Sequence, residues 1–140
     1  MNRICQLFVF ASFIILFAAC SNEPPTAATI GELCSLKPGT VVRIEGQLRL
    51  PIMALRCEEG KCRITLGNGT DSISVLIRAG EQPTANMLKL PPAQYTFDDL
   101  QVVLDDDTIA DHTTLVAVTG RVRQPSANDC YLAASSVQRP

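Results

Sequence analysis

Tryptophan is absent from this chain of 140 residues, aromatic side chains make up 5% of it, and there is one histidine. Each shortage removes a class of function. Single-stranded nucleic acid is held by stacking bases on ring faces above a basic track. Downstream of residue 20 the only rings of that kind are Tyr95, Phe97 and Tyr131. Charge supplies no track either: 12 Lys and Arg stand against 14 Asp and Glu, a net charge of -2. Tight nucleic-acid binding is therefore not expected; a dissociation constant no better than about 10⁻⁵ M is the non-specific regime. A single His112, with no serine singled out by its neighbours, argues against a Ser-His-Asp or Cys-His site. There is no glycine-rich phosphate loop. The chain reads as a non-enzyme without a cofactor.

Long apolar runs are also missing, with one exception at the N-terminus. Met1-Asn2-Arg3 is followed by Ile4 to Ala19, apolar except for Gln6 and Ser12. That length suits the core of an export signal and falls short of the roughly 20 residues of a spanning helix. The run ends Leu16-Phe17-Ala18-Ala19-Cys20. Small residues directly before a cysteine resemble the lipobox of bacterial lipoproteins, with Phe17 where that family usually has leucine. The resemblance implies a signal peptide over residues 1–19, cleavage before Cys20, and a diacylglyceryl thioether plus an N-acyl chain such as palmitate on Cys20. Several acyl chains anchor firmly where one binds only marginally. Ser21, where the enterobacterial sorting rule would read aspartate as a retention signal, implies the outer membrane, on its periplasmic or surface face. Residues 20–28, polar and carrying Pro24 and Pro25, read as a flexible tether.

Residues 29–140 read as one β domain. Thr29-Ile30-Gly31-Glu32 fits a capping box, so a short helix is expected up to Leu36, where Lys37-Pro38-Gly39 stops it. From Thr40 to Leu50 the chain alternates, with Val42, Ile44, Leu48 and Leu50 on one face; Gly46 on that face suggests a bend or bulge. Cys57 to Cys62 reads as a hairpin turn, Cys62-Ile64-Leu66 as a second strand, Gly67-Asn68-Gly69 as a turn, and Ile73-Val75-Ile77 as a third strand. Glu81 to Asp99, with Pro83, Pro91 and Pro92, reads as loop with room for a turn of helix. Leu100–Leu104, Leu115–Arg123 and Cys130–Val137 are the remaining strands. The segments Val42–Leu48 and Val116–Val122, each with glycine among alternating valines, resemble strands of small OB-fold domains of the anticodon-binding-like type. That resemblance implies an all-β Greek-key barrel with a short N-terminal helix; a β-sandwich is the alternative.

Cys34, Cys57, Cys62 and Cys130 remain beyond the leader. An even number in an exported chain reads as disulfides, although four cysteines allow three pairings. Cys57 and Cys62 flank a short turn, and Cys34 and Cys130 would then tie the helix to the last strand. Zinc sites favour C-x₂₋₄-C spacing and usually add histidine, but the sole His112 is remote in sequence, and no metal site is expected. Asp105, Asp106, Asp107 and Asp111 do not form an EF-hand loop, because Ile109, Ala110 and Val116 occupy its required positions. They read as a solvated turn.

One charge pattern is suggestive. Arg43, Arg49, Arg63, Arg78, Arg121 and Arg123 are expected to point outward from strands. If a barrel forms, several share the outer surface where OB folds bind ligands, and guanidinium forks suit phosphate, carboxylate or sulfate. The plainer reading is a solvated face with charges guarding against edge pairing. Together these features describe a lipid-anchored, non-enzymatic binding module of the bacterial cell envelope, meeting an envelope protein, polymer or anionic ligand. A surface-exposed OB module that binds nucleic acid is the alternative.

Overall fold

The computed structural model describes residues 23–140. The expected signal peptide and Cys20 lie outside the described residues. Five long strands form the architecture: β2 (Val41–Arg49), β4 (Lys61–Gly67), β5 (Ser72–Gly80), β9 (Leu115–Ser126) and β10 (Asp129–Gln138). β2 pairs with β4 and β9, β9 with β10, β10 with β5, and β5 with β4, so the sheet closes on itself. All of these pairings are antiparallel except β10 with β5. The sheet is thus an OB-type Greek-key barrel. Closure rules out the β-sandwich alternative, because no separate second sheet exists to stack on the first.

The period-two patterning explains the barrel directly. Val42, Ile44 and Leu48 of β2, Cys62, Ile64 and Leu66 of β4, and Ile73, Val75 and Ile77 of β5 fill the interior, with Val116, Val118, Val122, Leu132 and Val137 completing it. Gly46 belongs to this inward row, but it makes no bulge: β2 keeps register with β9 from Val41↔Arg121 through Gln47↔Leu115. A Cβ at Gly46 would lie 2.7 Å from the carbonyl oxygen of Gly67. Glycine is needed here for close backbone approach, where β2 passes from pairing with β9 to pairing with β4. The register shifts fall in β10, between Asp129 and Tyr131 and between Ala134 and Ser136.

The expected N-terminal helix is a 3-10 helix, Ile30–Ser35, that buries Ile30 and Leu33 against the barrel. Its capping box forms as the sequence suggests. Glu32 Oε2 accepts from the Thr29 amide at 3.1 Å and from its hydroxyl at 2.7 Å, which holds the Glu32 carboxyl below its ordinary pKa. The tether is shorter than expected, since β1 (Thr26–Ala27) already pairs in parallel with Val42 and Arg43 of β2.

Between β5 and β9, the stretch expected as loop gains a strand its prolines do not suggest, while the expected turn of helix and the Leu100–Leu104 strand take the form of a 3-10 turn and a shorter strand. β6 (Met87–Lys89) runs parallel to β5, followed by the 3-10 turn Phe97–Asp99 and a small hairpin of β7 (Val102–Val103) and β8 (Ile109–Ala110). The segment between β5 and β9 buries Leu88, Leu100, Val102, Leu104 and Ala110 in the core. At about 1.5–3 kcal/mol per large apolar side chain, that is a substantial share of the hydrophobic stabilisation.

Both disulfides join the expected pairs, Cys34–Cys130 and Cys57–Cys62. β3 (Arg56–Glu58) and β4 are joined by the two-residue turn Glu59-Gly60, both with positive φ, at 50° and 72°. That is the primed geometry which matches strand twist. It brings Cys57 opposite Cys62 with Cα atoms 4.0 Å apart. The core and both bridges are built wholly from residues 28–137.

Candidate functional site

The outer face of β4 and β5 is polar by alternation: where Ile64 and Val75 point in, Arg63, Thr65, Ser72 and Ser74 point out. Above this face the chain between β2 and β3 makes an excursion. Leu50 is buried and Leu55 half-buried at its two ends. Tyr95 fastens the middle: its hydroxyl hydrogen lies between two carbonyl oxygens, Pro51 O at 2.9 Å and Met53 O at 3.0 Å. The tip therefore projects Ile52 and Met53, which are 89% and 90% exposed. Between loop and sheet lies an open groove of about 550 Å³, with Arg49, Arg56 and Arg63 along it and Phe97 at its side. No carboxylate lines it.

The three groove arginines are not equivalent. Arg63 Nη1 donates to Asp129 Oδ1 at 2.9 Å and Nη2 to Oδ2 at 3.3 Å, while its guanidinium lies 4.1 Å from the centre of the Tyr131 ring. The same hydrogen bonds hold the Asp129 carboxyl below its ordinary pKa and raise that of Arg63. Arg49 and Arg56 are exposed and have no hydrogen-bond or ion-pair partner among the described residues. A second depression lies beyond Arg56 and Arg63, but Glu58, Lys61 and Asp129 make its charge mixed.

The six arginines expected to point outward, several of them on one ligand surface, divide between different sides of the barrel. Arg49 and Arg63 reach the groove. Arg78 lies at the far end of β5 and donates to Ala85 O at 3.3 Å. Arg43 and Arg121 lie on the β2–β9 side, where Arg121 donates to Gly39 O at 3.1 Å. The side-chain oxygen of Gln138 accepts from Arg43, while its nitrogen donates to Asp105 Oδ2 at 3.0 Å. Arg123 stands on β9 opposite Tyr131 of β10, outside the groove. The split follows from closure: strands that look alike in sequence face opposite sides of a barrel. Arg56, Ile52 and Met53 went unseen, because Pro51 to Cys57 has no periodicity. Two adjacent large apolar residues in a non-periodic segment beside arginines were the available signal.

The aspartates expected as a solvated turn are tied into local turns. Asp106 Oδ1 accepts from the Thr108 amide at 3.0 Å, and Asp111 Oδ1 from the Thr113 amide at 2.9 Å. The hydroxyls of Thr113 and Thr114 add to this and bring the Asp111 pKa down to about 2. Among the described residues no three His, Cys, Asp or Glu side chains gather as a metal site. His112 faces Asp98 at 3.6 Å, beside the turn that carries Phe97.

A closed OB-type barrel with an overhung groove on its β4–β5 face is the class this architecture defines. The hypothetical protein ygiW from E. coli has a similar fold, with a TM-score of 0.50 at 11% identity over 86% of this chain and 100% of that one. The telomere capping protein Ten1 from Saccharomyces pombe gives a TM-score of 0.44 at 17% identity, over 83% of this chain and 81% of that one. At such identities the likeness is one of fold alone. No protein-family model matches the chain, and no curated protein matches it.

Proposed function

We propose that this chain is the precursor of a lipid-anchored, non-enzymatic binding module of the bacterial cell envelope, and that the groove takes an anionic ligand. One observation carries the site: in a protein of net charge -2, the groove is lined, among the described residues, by three arginines and no carboxylate, and Arg49 and Arg56 have no partner there. Exposed guanidinium groups with unused donors suit carboxylate, phosphate or sulfate. Ser72 and Ser74 line the same groove without a base beside them, so the reading assigns binding and no reaction.

The anchor rests on Arg3, the apolar run and Ala18-Ala19-Cys20. Two disulfides agree with an oxidising compartment outside the cytoplasm, and an outer-membrane location follows the Ser21 reading. The chain enters the barrel beside Val42, while the groove opens past Arg49 at the other end of β2. Seven residue steps of extended strand separate them, about 23 Å. The anchored end and the binding end thus lie apart, and the groove is offered to a partner rather than to the tether.

The nucleic-acid reading has less support. Tyr95 is occupied by the loop and Tyr131 is covered by Arg63, which leaves Phe97 as the one ring at the groove. The test of the site is retention of an anionic polymer, polyglutamate or dextran sulfate, by residues 23–140. Salt-sensitive retention that Arg49→Glu with Arg56→Glu abolishes is expected; equal retention by that variant contradicts the site. For the anchor, Cys20→Ser is expected to abolish fatty-acid labelling, and a labelled mutant contradicts it.

A further inference from the structure

We propose that the groove's occupant is an extended acidic polypeptide segment in which carboxylates alternate with aliphatic side chains. The proposal rests on the anion-binding reading above and names the partner that satisfies it. Charge gives the first half: Arg49 and Arg56 have no partner among the described residues, and each presents a fork that matches a carboxylate. The rim gives the second half. Ile52 and Met53 are adjacent, held at the tip by Tyr95, and exposed to 89% and 90%. Phe97 is the one ring at the groove among the described residues, too few for a run of stacked bases, whereas the adjacent aliphatic tip suits other aliphatic groups, to which methionine adapts readily.

The floor separates a peptide from a membrane. Thr65, Ser72 and Ser74 offer hydroxyls beneath the overhanging loop. A flat bilayer meets the Ile52–Met53 tip but does not reach that floor. An extended chain does, and its main-chain N–H and C=O groups suit those hydroxyls. Successive side chains of an extended segment point to opposite sides at about 3.3 Å per residue. Alternation of acid and aliphatic residues is then the simplest way for one segment to satisfy arginines and apolar rim together.

The test uses residues 23–140, which contain the whole core and both disulfides. A short fluorescein-labelled peptide alternating glutamate and leucine is titrated by anisotropy. Peptides with lysine for glutamate, or serine for leucine, serve as comparisons, with a single-stranded oligonucleotide and phosphatidylglycerol vesicles as competing classes. Saturable binding of the Glu/Leu peptide is expected, with both substituted peptides weaker by about tenfold or more. Ile52→Ser with Met53→Ser, and separately Arg49→Glu with Arg56→Glu, are each expected to lose about tenfold or more while the far-UV circular dichroism stays unchanged. Tighter, Arg49- and Arg56-dependent binding of the oligonucleotide or the vesicles overturns the peptide assignment and leaves the anionic site standing. Failure of every anionic probe to bind, or binding indifferent to Arg49→Glu with Arg56→Glu, overturns both.

Discussion

The β4–β5 face and the β2–β9 face both carry outward arginines, yet only on the first do they line a groove among the described residues. On the β2–β9 side, Arg121 is spent on the Gly39 carbonyl and Arg43 on Gln138. On the β4–β5 side, Arg63 is spent on Asp129, while Arg49 and Arg56 keep their donors beside an exposed apolar tip. Counting arginines does not distinguish the two faces. Nor does a free donor alone, since Arg123 on β9 is also exposed and without a hydrogen-bond or ion-pair partner among the described residues; what distinguishes the groove is that Arg49 and Arg56 lie together beside the exposed Ile52–Met53 tip. A charge-assisted hydrogen bond already made inside the protein must be broken before a ligand can use the donor, so a satisfied arginine is worth less to an incoming anion.

The two disulfides differ in the length of chain they close, which gives the largest expected effect. Cys34–Cys130 has a sequence separation of 96 and ties the N-terminal 3-10 helix to β10, between Asp129 and Tyr131, which hold Arg63. Replacing both with serine is expected to lower the unfolding free energy by about 4–5 kcal/mol on the chain-entropy account. Urea denaturation measures it. Cys57–Cys62, with a separation of 5, closes the short turn between β3 and β4, with Arg56 one residue before it on β3. Cys57→Ala with Cys62→Ala is expected to cost about 2 kcal/mol from the loop, plus a cavity contribution at the buried Cys62. Affinity is expected to fall as well, because β3 loses its bridge to β4.

Smaller effects sharpen the same contrast. Tyr95→Phe removes the hydroxyl that holds Pro51 and Met53 and is expected to cost about 1 kcal/mol. Faster amide exchange is expected between Ile52 and Leu55 and nowhere on β9. Arg63→Ala breaks a pair whose side chains are 36% and 39% exposed, so about 1 kcal/mol or less is expected. The smallest effect is acid sensitivity at the turn before β9. The Asp111 pKa falls from 3.8 to about 2 on folding. Its contribution is therefore complete above 3.8 and lost as pH falls through about 2. Unfolding curves across that range check the sign.

The barrel was legible in the sequence wherever one face of a strand is buried. Val42-Ile44-Leu48 and Val116-Val118-Val122 alternate because the pleat alternates, and both disulfides followed from a turn and an even count. The crossover was legible only in part: Leu100 to Leu104 reads as a strand and β7 lies within it, but Leu88 is buried by a strand of three residues, too short to show a period. Gly46 marked a special position, but whether glycine serves a bulge or a close approach depends on Gly67, which is distant in sequence. Outward orientation of the arginines was readable, whereas their partners were not, since Arg63 meets Asp129 across 66 positions. The groove depends on a loop held by Tyr95, 42 and 44 residues away, and no local pattern reports that contact.

The contrast between the faces is tested most directly by nuclear magnetic resonance. Residues 23–140, labelled with ¹⁵N, are titrated with the Glu/Leu peptide and the amide shifts are mapped. The account predicts that the largest shifts fall on Arg49 to Arg56, with Thr65, Ser72 and Ser74, and that Gly39, Arg43 and Arg121 stay still. Shifts centred on Gly39, Arg43 and Arg121 would contradict it.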